Sequence, residues 1–118
     1  MTWVEELISK PSSKGKIFFS WLGYSSIALK IDDKTVLIDP ADLISIRQLK
    51  TLKPDLILYT HEHYDHFYLP IAVEAVKLDI PVGCNLGCHE ALKGKVPEGA
   101  IALIKPGMEV EILSLIHI

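Results

Sequence analysis

The sequence predicts an α/β (α+β) fold, a mixed sheet with helices on one face, in a single domain over residues 1–118. Three observations lead there. Residues 16–39 form a β-rich segment whose alternation suits antiparallel strands. Leu56-Ile57-Leu58-Tyr59 is a continuous apolar run of the kind found in the middle of a sheet, and a helical pattern follows it within a βαβ segment over 55–84. Between that run and that helix stands His61-Glu62-His63-Tyr64-Asp65-His66, which holds three of the chain's five histidines.

Taken in order, the chain opens on a short helix over residues 2–9. Thr2 with Glu5 suggests a capping box, Trp3, Val4, Leu7 and Ile8 share one face, and Pro11 lies just beyond the end. Ile17-Phe18-Phe19-Ser20-Trp21-Leu22 reads as a buried strand that Gly23 ends. Ile27, Leu29 and Ile31 then alternate with Ala28 and Lys30, Asp32-Asp33-Lys34 supplies turn chemistry, and Thr35 to Ile38 returns. Asp39-Pro40 closes that strand, because proline cannot continue a ladder and biases the preceding residue toward an extended backbone. Leu43, Ile46, Leu49 and Leu52 recur at threes, predicting a helix from about Asp42 that ends before Pro54.

Ile71, Ala72, Ala75 and Val76 mark the buried face of a helix starting near Pro70. The histidine window is therefore a strand-to-helix loop, and sites in such sheets gather beyond the carboxyl ends of strands. Strands are expected at residues 80–84 and 100–104, with a short helix over 87–93 between them. Met108, Val110 and Ile112 alternate with Glu109 and Glu111 in a last strand, and the C-terminal strands run over 100–118. The apolar ending Leu115-Ile116-His117-Ile118 reads like a domain cut short.

Composition narrows the classes. A hydrophobic content of 49% and a mean hydropathy of +0.29 are high for 118 residues, so some apolar surface is expected to meet a partner chain, as a homodimer or higher oligomer. No apolar run approaches a membrane span, and the N-terminus lacks a signal peptide's basic region and apolar core, so the expected location is cytoplasmic with no membrane partner. A net charge of −3 without a Lys/Arg cluster argues against a nucleic-acid partner bound through phosphates. Cys84 and Cys88, four apart, match no disulfide framework or usual zinc knuckle and read as reduced, packed thiols; His89 reads as a solvated helix residue.

The window itself carries metal chemistry. Alternation puts His61 and His63 on one side of an extended backbone, where two imidazoles can grip one ion, and Asp65 and His66 follow where a turn could aim them at a second. Zn, Mn and Fe all accept such ligands. The bland alternative is a polar surface loop whose histidines are satisfied by hydrogen bonds.

His61-x-His63-x-Asp65-His66 after an apolar strand, preceded by Leu37-Ile38-Asp39-Pro40, resembles the metallo-β-lactamase superfamily. Trp21-Leu22-Gly23-Tyr24-Ser25-Ser26 is similar to the opening of its branch of uncharacterised metal-dependent hydrolases related to ascorbate-6-phosphate lactonase, although Tyr24 stands where that branch often carries histidine. The resemblance covers the N-terminal half of the family's domain. It implies half of an αββα sandwich with a metal site on one edge. In that frame His61, His63 and His117 would bind a first ion, Asp65 and His66 a second, and Asp39 would support the ligands from behind. His117 is otherwise a histidine in a frayed terminal strand. With only two ligands the second ion is expected to bind weakly or not at all. The implied activity is metal-dependent hydrolysis of a small-molecule substrate, a lactone or phosphorylated metabolite, with Asp65 as the catalytic residue that orients the nucleophile or moves its proton. A non-catalytic metal-binding or self-assembling module is the alternative.

Overall fold

The computed structural model describes residues 2–11, 15–105, 107, 111–112 and 116–117. Side-chain caps set where three of its described helices begin. Helix α1 (Trp3–Ser9) starts at Thr2, whose hydroxyl accepts from the Glu5 backbone N–H. Val4 and Leu7 turn into the core, whereas Ile8 is 47% exposed, so the buried stripe is narrower than the sequence predicts. Strands β1 (Ile17–Gly23), β2 (Ser26–Ile31) and β3 (Lys34–Ile38) pair antiparallel. The tight turn between β2 and β3 uses Asp32 at φ +53°, a conformation Asp tolerates better than most residues.

Helix α2 (Ile46–Leu52) begins later than the expected Asp42. The reason is a full capping box: Ser45 accepts from the Gln48 N–H while the Gln48 side chain accepts from the Ser45 N–H. Leu43, counted toward that helix in the sequence, instead lies over Gly23. Strand β4 (Leu56–Tyr59), helix α3 (Leu69–Lys77), strand β5 (Val82–Cys84), helix α4 (Leu86–Leu92) and strand β6 (Ile101–Leu103) complete the parallel part. Strands β5 and β6 are shorter than predicted. Before β5, the Ile80 N–H bonds back to the Ala75 carbonyl as part of the exit from α3, and Pro81 follows.

The sheet runs β1-β2-β3-β4-β5-β6 in chain order, antiparallel to β3 and parallel beyond it. It is mixed, as expected. Strands β7 (Glu111–Ile112) and β8 (Ile116–His117) pair antiparallel in a separate two-stranded sheet. The predicted strand from Met108 lies partly outside the described residues. Among the described residues, no helix is long and apolar enough to cross a membrane.

Register assigns the two faces of the main sheet. Ala28, Leu37, Ile57, Tyr59, Val82 and Cys84 share one face and form the core with Val4, Leu7, Leu49, Ile71, Ala72, Cys88 and Leu92 from all four helices. The opposite face carries Ile17, Phe19 and Trp21, which are 58%, 68% and 69% exposed, beside Ile27, Leu29, Ile38 and Leu58. Strand β1 is therefore only half buried, which corrects its reading as a buried strand.

Lys30 sits on the helical side despite its charge. Its ammonium donates to the carbonyls of Leu7, Ile8 and Lys10 at 3.4, 3.1 and 2.6 Å and so closes the C-terminus of α1 against β2. Lys30→Ala should destabilise the fold by about 1 kcal/mol and raise hydrogen exchange in α1 first, measured by urea unfolding and amide exchange.

Candidate metal centre

Parallel pairing of β3 with β4 places their carboxyl ends side by side, with Ile38 opposite Leu58. Asp39 and Thr60 consequently emerge together at the edge. The Asp39 N–H donates to the Leu58 carbonyl at 2.8 Å, after which the chain turns sharply, with Asp39 at φ +47° and Ala41 at φ +48°. Asp39 is thus left-handed and not extended as its place before proline predicts. Such a backbone costs on the order of 1–3 kcal/mol and persists only where surrounding contacts fix it.

Those contacts are on the carboxylate. Asp39 is 2% exposed and accepts from the Thr60 N–H at 2.6 Å, the Thr60 hydroxyl at 2.5 Å and His66 Nδ1 at 2.8 Å. Its carbonyl accepts from the buried Ser26 hydroxyl. Asp39 therefore lies behind His66. With Nδ1 donating, the neutral His66 ring has its lone pair on Nε2, the tautomer a metal-ligating imidazole needs.

The loop is folded from below as well. The N–H groups of His66 and Phe67 both donate to the His63 carbonyl at 2.9 Å, and the Ala41 N–H donates to the His66 carbonyl at 3.1 Å. Phe67 is buried edge-on to Tyr59, with ring centroids 5.0 Å apart. Three imidazoles then gather above: His61 lies 4.8 Å from His63 and 4.2 Å from His66, centroid to centroid. Asp65 Oδ2 is 3.7 Å from His66 Nε2.

The donor set fits a borderline divalent ion in kind, since imidazoles and one free carboxylate meet beside a carboxylate that orients one of the rings. Convergence is incomplete. Among the described residues, no three His, Cys, Asp or Glu side chains form a group able to hold an ion. His61 and His66 stack at 19°, a packing that leaves their ring planes nearly parallel. The side chain of His117 lies outside the described residues; its backbone pairs with Glu111 in the small sheet.

The structure also draws in residues without a role in the sequence reading. Thr60 bridges Asp39 to the loop, and its hydroxyl lies 3.3 Å from Nδ1 of both His61 and His66. Glu62 accepts from the Asn85 side-chain amide at 3.1 Å, and chiefly this bond holds its carboxyl below the usual range. Asn85-x-x-Cys88 at a helix start was a readable cap signal; its partner across the sheet was not. The Tyr59 hydroxyl is buried with no hydrogen-bond partner among the described residues, and burial pushes its pKa well above the usual value. Cys84 and Cys88 are free and buried, whereas half-buried His89 lines a separate cavity with Lys93 and Glu98.

The family model described as a beta-lactamase superfamily domain matches residues 19–111, most of the chain and all four loop residues. The chain belongs to the metallo-β-lactamase superfamily. Two relatives named UPF0173 metal-dependent hydrolase agree: one from Sulfolobus acidocaldarius is 42% identical over 66 residues, covering 50% of this chain and 27% of the relative. The other, from Pyrobaculum islandicum, is 37% identical over 51 residues, covering 39% of this chain and 23% of the relative. The chain thus matches about a quarter of the length of these relatives. A crystal structure described as a new diphosphatase from the PhnP family superposes with a TM-score of 0.54 at 22% identity, over 76% of this chain and 40% of that one. That likeness concerns the fold, and it supports the superfamily's α/β architecture here.

Burial raises the Cys84 thiol to about 11 and the Cys88 thiol to about 12. Both should resist alkylation at pH 8 in the folded chain and react once it unfolds, read by mass spectrometry. The unfolded chain loses these protons near 8.5. Their stabilising contribution is therefore complete below that pH and lost as pH rises toward 11–12, which alkaline urea titrations would record.

Proposed function

We propose that the chain is part of a metal-dependent hydrolase acting on a small lactone or phosphorylated metabolite. The observation that carries the reading is the hydrogen bond from His66 Nδ1 to the buried Asp39 carboxylate beneath a cluster of three imidazoles. His61 and His63 would hold a first ion with His117, and Asp65 and His66 would contribute toward a second. Zn, Mn or Fe suits these ligands. A bound ion would supply a Lewis acid and lower the pKa of a water from 15.7 toward about 7.

The chain's own groups do the rest. Asp39 and Thr60 fix the His66 ring and its tautomer. Asp65, half-buried beside His66, is the free carboxylate placed to orient a nucleophile or accept its proton. A cavity of about 310 Å³ beside Thr60 is lined by Leu58, Gly83, Asn85, Ile104 and Lys105, and the Lys105 ammonium suits an anionic or carbonyl-bearing substrate. Purified protein should bind one equivalent of Zn²⁺, and His63→Ala should lose at least tenfold in affinity by chelator competition. Asp65→Ala should abolish hydrolysis of a generic phosphodiester or lactone. Wild-type protein that binds no ion would overturn the metal reading.

The alternative, a self-assembling metal-binding module, is favoured by the open sheet face. Ile17, Phe19 and Trp21 leave on the order of 400 Å² of apolar surface bare in one stripe, continued by Ile27, Leu29, Ile38 and Leu58. A second copy packed sheet on sheet would cover it, because the same apolar stripe on both partners would meet itself about a two-fold axis. Light scattering at micromolar concentration should show a dimer that Trp21→Glu converts to monomer. A monomeric wild-type chain would rule this assembly out.

A further inference from the structure

At the carboxyl edge of the sheet, the loop that carries the histidines meets the start of α4. The meeting follows from register: Tyr59 of β4 pairs with Cys84 of β5 in parallel, so the residues just beyond, Thr60 to Glu62 and Asn85 to Gly87, leave the sheet side by side. Asn85 is held from within. Its side-chain oxygen accepts from the N–H of fully buried Cys88 at 3.0 Å, which leaves its amide NH₂ to donate to Glu62 Oε2 at 3.1 Å. Gly87 marks the seat of that carboxylate. A Cβ built on it would collide with the Glu62 carboxylate, the far end of a flexible and exposed side chain, so an alanine there would push that carboxylate off its seat.

We infer that Glu62 is a positioning residue, latched by Asn85 into the space left by Gly87, that holds the His61–His66 loop in place for metal binding. Glu62 falls between His61 and His63 where the loop bends, and its side chain is bonded to Asn85 while the two imidazoles lie together. Anchoring it to α4 restrains the backbone carrying both imidazoles without occupying a ligand position. Asp39 grips the far end of the same loop through His66, and the latch grips the near end. The inference rests on the metal-binding reading given above, and its test separates the two.

The test is Gly87→Ala, made in the wild-type and the Glu62→Ala backgrounds. Alanine is the better helix former, so thermal stability should stay level or rise. Zn²⁺ affinity, measured with Zn²⁺ alone against a chelator, should nevertheless fall about tenfold in the wild-type background. In the Glu62→Ala background, already weakened, the same substitution should change affinity by less than twofold. Glu62→Gln, which keeps an oxygen acceptor for Asn85, should retain most of the affinity. Amide hydrogen exchange over residues 61–66 without metal supplies a second readout, faster in Gly87→Ala only where Glu62 is present. Unchanged affinity and exchange in Gly87→Ala, or equal losses in both backgrounds, would overturn the latch. Wild-type protein that binds no Zn²⁺ but shows the exchange pattern would overturn the metal reading and leave the latch standing.

Discussion

A carboxylate buried at the joined ends of two parallel strands must meet donors, or its burial would cost several kcal/mol. Asp39 meets three, from Thr60 and His66, and its own carbonyl takes a fourth from Ser26. Each donor belongs to a different stretch of chain: Ser26 opens β2, Thr60 follows β4, and His66 lies in the metal loop. One residue, through its carboxylate and its carbonyl, thereby ties the antiparallel half of the sheet to the parallel half and to the histidines. The left-handed backbone at Asp39 and Ala41 belongs to the same arrangement, since the turn brings the Ala41 N–H onto the His66 carbonyl.

The sheet divides its labour by face. All four helices cover one side, and the small residue Ala28 with the long one Lys30 lets α1 come close and be capped there. Ile17, Phe19 and Trp21 of β1 and Ile27 and Leu29 of β2 point the other way. A strand pair with its largest apolar side chains uncovered leaves a substantial surface that water does not favour. The residues that make the core and those that make the open face are thus written in the same strands, one residue out of phase.

That phase explains what was legible in the sequence. The run Leu56–Tyr59, the helix at Pro70 and the loop between them could be read because an apolar strand, proline at a first turn and a helical stripe are local signals. Asp39 could be placed at a strand end for the same reason. Strand β1 was misjudged because a run that is apolar on both faces has no alternation to reveal which face is covered. The start of α2 was misjudged because Leu43 kept the spacing of a helix while Ser45 and Gln48 held the cap. The pairings of Glu62 with Asn85 and of Lys30 with α1 join residues about twenty apart through tertiary geometry, which no local pattern encodes.

The metal loop is short, yet it is fixed from three directions. His66 is held by Asp39, Phe67 is packed on Tyr59, and Glu62 is bonded to Asn85. Two of the restraints act on residues adjacent to a ligand candidate, and the third takes only Nδ1 of His66, so its Nε2 stays available to an ion. Preorganisation of this kind lowers the conformational entropy lost on binding, which matters most for a site whose donors do not yet converge. The His61 ring is the part left to move, because turning it away from the His66 ring that Asp39 holds needs only side-chain rotation while the backbone beneath stays where its hydrogen bonds hold it.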